Sequence, residues 1–260
     1  RDLIDKAARV MLAAQRPVIV AGGGVVWSNA GDEVTRMADL LGAPIVTSYG
    51  RADAVPNDHP HFLGHLGRLG SEEGAEAIRQ SDAILAVGTR LGQSTTFFDN
   101  RFIPAGVPIV QIEIDPKELG RNYPISVGIE GDAKAVMMEL LDLVQQAEPR
   151  PNPEWVSEIG DWNARRGQRL EDEGRLSSMP IKPQRVYAEL RKVIPRNAII
   201  ALDAGLAPNF GQDRLMYYEP RSLMTSLDLG GLGFSFPAAI GASFAAPDRP
   251  VINFNGDGGF

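Results

Sequence analysis

Apolar residues recur at Leu3, Ile4, Ala7, Ala8, Met11 and Leu12, the spacing of one buried helical face, which predicts a helix over residues 2–14. Arg16-Pro17 ends it, and Val18-Ile19-Val20-Ala21 then reads as a strand buried on both sides. That strand runs into Gly22-Gly23-Gly24, followed by a helix over 30–41. The alternation continues with short strands over 43–48, 82–87 and 107–114, and helices over 71–80 and 132–146. Strands alternating with helices predict a parallel sheet covered on both faces, with functional loops at the C-terminal strand ends.

After residue 147 the pattern shifts. Pro149, Pro151 and Pro153 precede a charged stretch with Trp155 and Trp162 seven positions apart. This reads as a linker over 148–182, carrying one amphipathic helix (154–170) whose tryptophans pack against a neighbouring domain. The run Glu171-Asp172-Glu173 reads as its solvated end rather than a metal site. Lys182-Pro183 opens a second unit: a proline-led helix over 183–193, an apolar strand over 198–202 and the exit turn Asp203-Ala204-Gly205. The last stretch, 227–260, holds a glycine turn (Gly230, Gly231, Gly233), a small-residue helix over 237–245 and a strand over 251–254. It ends in Asn255-Gly256-Asp257-Gly258-Gly259. The predicted fold class is α/β, with two doubly wound parallel-sheet domains: a nucleotide-binding-like domain over 1–147 and a second, incomplete one over 183–260.

With 260 residues, 43% of them hydrophobic, the chain can bury more than one substantial core. A net charge of −7 without any Lys- or Arg-rich block argues against nucleic acid and anionic membrane surfaces as partners. The lack of cysteine excludes disulfides and thiolate metal sites and fits a cytoplasmic protein. No apolar run approaches the roughly 18 residues of a membrane span, and no secretory signal pattern opens the chain. His59, His61 and His65 cluster, but Pro60 prevents helical presentation and no acidic residue joins them at ligand spacing. They read as loop surface rather than as a metal site.

Two stretches carry candidate chemistry. Strand, Gly22-Gly23-Gly24 and helix make the anion-cradling arrangement of doubly wound folds, or a tight structural turn. A strand ending in a carboxylate among glycines suits a metal–diphosphate site, because glycines let N–H groups approach phosphate and Asp257 offers Mg²⁺ a hard oxygen. An Asp-Gly hairpin turn is the competing reading of those five residues alone.

Leu232-Gly233-Phe234-Ser235-Phe236-Pro237-Ala238-Ala239-Ile240-Gly241-Ala242, together with Gly256-Asp257-Gly258, resembles the thiamine diphosphate enzymes of the acetolactate synthase type. The resemblance implies that Leu232 wedges under the cofactor and holds it bent. It further implies that Gly230 offers its carbonyl to the 4′-amino group and Leu232 its N–H to the pyrimidine ring. Gly230 and Leu232 are therefore the catalytic candidates, Asp257 the Mg²⁺ ligand, and Gly256, Gly258 and Gly259 the remaining cofactor-binding set. By the same resemblance, 183–260 is the first part of a diphosphate-binding domain, and the chain reads as a segment of a longer polypeptide. The pyrimidine-activating glutamate and the asparagine metal ligand would lie outside it, so the segment alone should show no turnover. An active site formed between two subunits implies a homodimer or homotetramer. Leu206-Ala207 depart from the family, replacing polar residues that touch the diphosphate and leaving Asn209 or Gln212 to take that place.

Further matches are residues 52–60 and 64–71, Gly88-Thr89-Arg90-Leu91, Ile112-Glu113-Ile114-Asp115-Pro116 and Gly131-Asp132-Ala133, which resemble the family's central domain. There the resemblance implies FAD without redox turnover, ADP, or an empty pocket. Gly22, Gly23, Gly24 and Arg90 would face nucleotide phosphates, and Glu113 and Asp132 would reach ribose or adenine. Arg68-Leu69 and Leu91-Gly92 stand where FAD binders carry Met-His and Phe-Asp. Residues 49–71, 88–91 and 126–132 look closer to sulfoacetaldehyde acetyltransferase. The implied activity is a carboligase or lyase acting on a 2-oxo acid such as pyruvate, with acetyl transfer of the sulfoacetaldehyde type as the alternative. A nucleotide- or NAD-binding module of deoxyhypusine type and a non-catalytic scaffold are the readings outside that chemistry.

Overall fold

The computed structural model describes residues 1–100, 102–226 and 229–260; Leu227 and Asp228, which open the last predicted stretch, lie outside the described residues, as does Arg101. Six strands, β1 (Pro17–Ala21), β2 (Ile45–Thr47), β3 (Phe62–His65), β4 (Ala83–Val87), β5 (Ile109–Glu113) and β6 (Val127–Glu130), form one parallel sheet in the order β3-β2-β1-β4-β5-β6. This is doubly wound topology, and the winding reverses between β1 and β4, where a crevice opens beyond the strand ends. Ile19 lies opposite both Ile45 and Leu85, so the apolar run of β1 is central to the sheet. Pro17 opens that strand, the position where a missing N–H is tolerated.

Alternate residues face opposite layers. Ile19, Leu85, Val110 and Ile112 pack with Ile4, Met11, Val34, Met37 and Leu140. These come from α1 (Asp2–Ala13), α3 (Gly31–Leu41) and α6 (Ala133–Gln146). Short helical turns, α2 (Gly23–Ser28) and α5 (Gln93–Thr96), follow two of the strand exits. Val18, Val20, Ile84 and Ala86 face Ala77 and Ile78 of α4 (Glu72–Arg79) and Trp155, Ile159 and Trp162 of α7 (Pro153–Gly174). The two tryptophans meet edge-on with centroids 5.2 Å apart, and Trp155 Nε1 donates to the Pro17 carbonyl at 3.1 Å. The helix predicted within the linker is thus a covering layer of this sheet, one residue longer at its start and four at its end than its apolar pattern indicated.

A second parallel sheet, in the order β8-β7-β9, contains β7 (Ile199–Leu202), β8 (Leu223–Thr225) and β9 (Val251–Phe254). It is accompanied by α8 (Pro183–Val193), α9 (Leu206–Arg214) and α10 (Ser235–Ala245). The loop after β2 staples the two sheets together. Asp53 Oδ2 accepts the N–H groups of Ser222 and Leu223, both at 3.1 Å, while Asn57 exchanges two 2.8 Å hydrogen bonds with the backbone of Tyr217.

The loop-surface reading of the histidines fails at His65: β3 lies within 49–71, and His65 is fully buried on that strand. The exit turn of β7 leads straight into α9, whose buried residues include Asn209, Gln212 and Asp213. Hydrophobic periodicity cannot report a helix whose inward face is polar.

Candidate functional site

At the C-terminal edge of the smaller sheet, three segments converge. β7 exits at Asp203, β9 exits into a 3₁₀ turn over Asp257–Gly259, and the glycine turn enters α10. Asp203 is fully buried, and its carboxylate accepts the N–H groups of Gly233, Phe234 and Ser235 at 3.0, 3.2 and 3.4 Å. Gly259 packs so closely on the same carboxylate that a β-carbon there would stand 1.7 Å from Oδ2. Gly230 and Gly233 have φ of +63° and +82°, a region that favours glycine. The turn bearing Leu232 and the turn bearing Asp257 therefore sit side by side around one buried acid.

Both predicted functional side chains face outward from this edge. Leu232 is 69% exposed, and Asp257 is exposed. Beside Gly230, Gly231, Gly256 and Gly258 a β-carbon would meet nothing within 4 Å, so the backbone is open to an approaching anion. An exposed hard-oxygen ligand among open glycines fits a Mg²⁺-diphosphate group. Among the described residues no group of three or more His, Asp or Glu side chains converges.

Asn209 and Gln212 do not take the vacant diphosphate-contacting role. Asn209 Oδ1 accepts the Tyr49 hydroxyl at 3.0 Å and its Nδ2 donates to the Gly205 carbonyl at 3.1 Å. Gln212 Oε1 accepts the Gly50 N–H. Asn209 is held at the seam between the sheets by both of its amide atoms, and Gln212 by its Oε1, because the loop after β2 brings the Tyr49 hydroxyl and the Gly50 N–H to them.

The crevice of the larger sheet is a cleft of about 870 Å³. Gly23, Gly24, Arg90, Glu113 and Asp132 line it together with Trp27, so five of the six proposed nucleotide-contacting residues converge there. Gly22 does not reach the wall; it abuts Gly88 and Thr89, where a β-carbon would come within 2.4 Å of the Gly88 carbonyl. Glu113 accepts the N–H of Ile114 at 2.9 Å, and Asp132 caps α6 through the Ala135 N–H at 3.0 Å. The volume falls within the range of small-molecule and cofactor sites.

Sequence reasoning missed the charges buried between α7 and α9. Arg166 Nη2 meets Asp213 Oδ1 at 2.7 Å, with both side chains almost fully buried. Burial alone would raise the Asp213 carboxyl, but Arg166, His65 and Arg214 outweigh it and hold the pKa down at about 2. Asp53 shows the opposite balance: burial pushes it up to about 6, against its backbone hydrogen bonds and Arg51. Burial likewise pushes His65 below its ordinary value.

Residues 4–140, somewhat over half of the chain, match the family model for the central domain of the thiamine pyrophosphate enzymes. The chain belongs to this family. Residues 203–260 match the C-terminal TPP-binding domain of the thiamine pyrophosphate enzymes, and this stretch holds Asp203, the Leu232 turn and the Asp257 turn. The parallel-sheet α/β architecture is that expected of the family's domains. Sulfoacetaldehyde acetyltransferase of Castellaniella defragrans is 34% identical over 275 residues, covering 98% of this chain and 46% of that protein. The probable acetolactate synthase large subunit of Methanocaldococcus jannaschii is 35% identical over 263 residues (99% and 44%). The acetolactate synthase large subunit of Haemophilus influenzae is 31% identical over 258 residues (98% and 44%). The chain thus spans less than half the length of these relatives.

Proposed function

We propose that this chain is part of a thiamine diphosphate- and Mg²⁺-dependent carboligase or lyase acting on a 2-oxo acid such as pyruvate, of acetolactate synthase type. The observation that carries this reading is the convergence of the Leu232 and Asp257 turns at the carboxyl ends of β7 and β9. Thiamine diphosphate, when bound, supplies the nucleophilic carbon and the electron sink for breaking the bond beside a ketone. Asp257 would ligate the metal, and the open backbone at Gly256 and Gly258 would orient the diphosphate, whereas the Gly259 N–H is taken by the Gly256 carbonyl at 3.0 Å. Leu232 props the cofactor and Gly230 accepts from its amino group, so both act by holding reacting atoms in place. Acetyl transfer in the manner of sulfoacetaldehyde acetyltransferase is the second reading, favoured by the 34% identity to the Castellaniella protein.

The cleft beyond β1 and β4 is proposed to take FAD or ADP, with Gly23, Gly24 and Arg90 toward the phosphates and Glu113 and Asp132 toward ribose or adenine. A homodimer or homotetramer in the cytoplasm is the proposed working form. The test is product analysis of the whole protein with thiamine diphosphate and Mg²⁺, supplied with pyruvate or with sulfoacetaldehyde and phosphate. Acetolactate in the first mixture supports the carboligase, and acetyl transfer to phosphate in the second supports the alternative. Pyruvate left untouched and no thiamine diphosphate bound would reject both.

A further inference from the structure

Asp203 has no part in the chemistry just proposed, yet its carboxylate reaches both turns through the contacts given above. Its own N–H donates to the Phe254 carbonyl at 2.9 Å, which fixes the end of β7 to the end of β9. Its oxygens then divide the work. Oδ2 takes Gly233 and lies against Gly259, while Oδ1 takes Phe234 and Ser235 at the start of α10. No side chain of α10 caps that helix, so the cap is supplied from another strand. A carboxylate suits the place because it is acceptor-only, and the first N–H groups of a helix are unsatisfied donors with a favourable dipole.

We infer that Asp203 is a positioning residue for the cofactor site, an inference that rests on the thiamine diphosphate reading above. It sets the separation of the Leu232 turn from the Asp257 turn, so that the prop and the metal ligand engage one cofactor together. Three of the five residues over 229–233 are glycines, and without a tether such a segment has a large conformational freedom to lose on ligand binding. Gly259 belongs to the same device from the other side, since any side chain there would displace the carboxylate.

The test uses the whole protein as wild type, Asp203→Ala, Asp203→Asn and Gly259→Ala. Three quantities are read: hydrogen exchange of peptides over 229–236 and 255–260 without cofactor, thiamine diphosphate affinity by titration calorimetry with Mg²⁺, and the thermal midpoint. Loss of charge-assisted hydrogen bonds predicts that Asp203→Ala speeds exchange in both peptides and weakens cofactor binding about 10- to 100-fold. Exchange over β1 and β4 stays at the wild-type rate. Asp203→Asn, which keeps one acceptor oxygen and the shape, recovers part of the affinity, and Gly259→Ala behaves like Asp203→Ala. Unchanged exchange, or unchanged affinity, in Asp203→Ala would overturn the inference. So would a uniform rise in exchange through the sheets with no recovery by Asp203→Asn, which marks an ordinary core residue. If wild type takes up no thiamine diphosphate, the functional reading fails and takes the cofactor part with it; the exchange data then accept or reject the tether by themselves.

Discussion

Replacing Arg166 with leucine tests whether the seam between α7 and α9 depends on one buried ion pair. Arg166 Nη2 lies 2.7 Å from Asp213 Oδ1 and 3.2 Å from the Asp213 carbonyl, and the two side chains are 5% and 1% exposed. Removing one partner of such a pair leaves an uncompensated buried charge, at a cost of about 3–5 kcal/mol. Arg169 and Arg214 approach Asp213 at 3.9 and 4.0 Å, so the lower end of that range, about 3 kcal/mol, is expected here. Replacing both partners with leucine removes the desolvation penalty along with the attraction, and should cost about 1 kcal/mol or less. Proton linkage supplies an independent measure. The Asp213 carboxyl falls from 3.8 to about 2 on folding, a contribution on the order of 2 kcal/mol. Because the folded value is the lower one, this stability is present above pH 4 and lost as pH falls toward 2. Urea unfolding of the whole protein, followed by tryptophan fluorescence, reads the seam directly, since Trp155 and Trp162 both lie on α7. The reasoning fails if Arg166→Leu costs under 1 kcal/mol at pH 7, or if the double substitution costs the sum of the singles.

Asp53 titrates in a separate window. Its folded pKa of about 6 exceeds 3.8, so its contribution is full below pH 4 and is lost as pH rises through 6, about 3 kcal/mol in all. Asp53→Asn should flatten the decline in thermal midpoint between pH 4 and 6. Leu232→Ala, at an exposed position, should shift stability by no more than about 0.5 kcal/mol. On the thiamine diphosphate reading proposed above, kcat of the whole protein on pyruvate should still fall about tenfold or more through loss of the proposed positioning contact; kcat beside the thermal midpoint separates the two effects. Gly24→Ala places a β-carbon 2.6 Å from the Gly88 Cα and forces apart the two turns at the cleft mouth. A loss of about 1–3 kcal/mol is expected by thermal unfolding, in line with overpacking elsewhere.

The elements with strong apolar pattern were legible in advance. The runs Val18–Ala21 and Val251–Phe254, the stripe of α1 and the tryptophan spacing of α7 all lie within a residue or a few of their predicted places. β3, β6, β8 and α9 were not, because they are three or four residues long or bury polar groups. At the candidate site, the glycine turn and Gly256-Asp257-Gly258 stood out through their unusual backbone demands. Asp203 was visible only as an exit turn, since nothing local marks it as the acceptor for residues 30 positions away.

By itself, the order of residues determined which segments become strands and helices, that the main sheet is parallel, and which family the chain resembles. Apolar periodicity and glycine placement are local records of burial and backbone freedom, so they can be read along the chain. Only the tertiary structure decided that Asn209 and Gln212 turn to the seam, that His65 and Asp213 are interior, and that Asp203 joins two turns. A buried polar group is stable only where distant backbone and side chains bring its partners, and those meetings exist in space rather than in sequence.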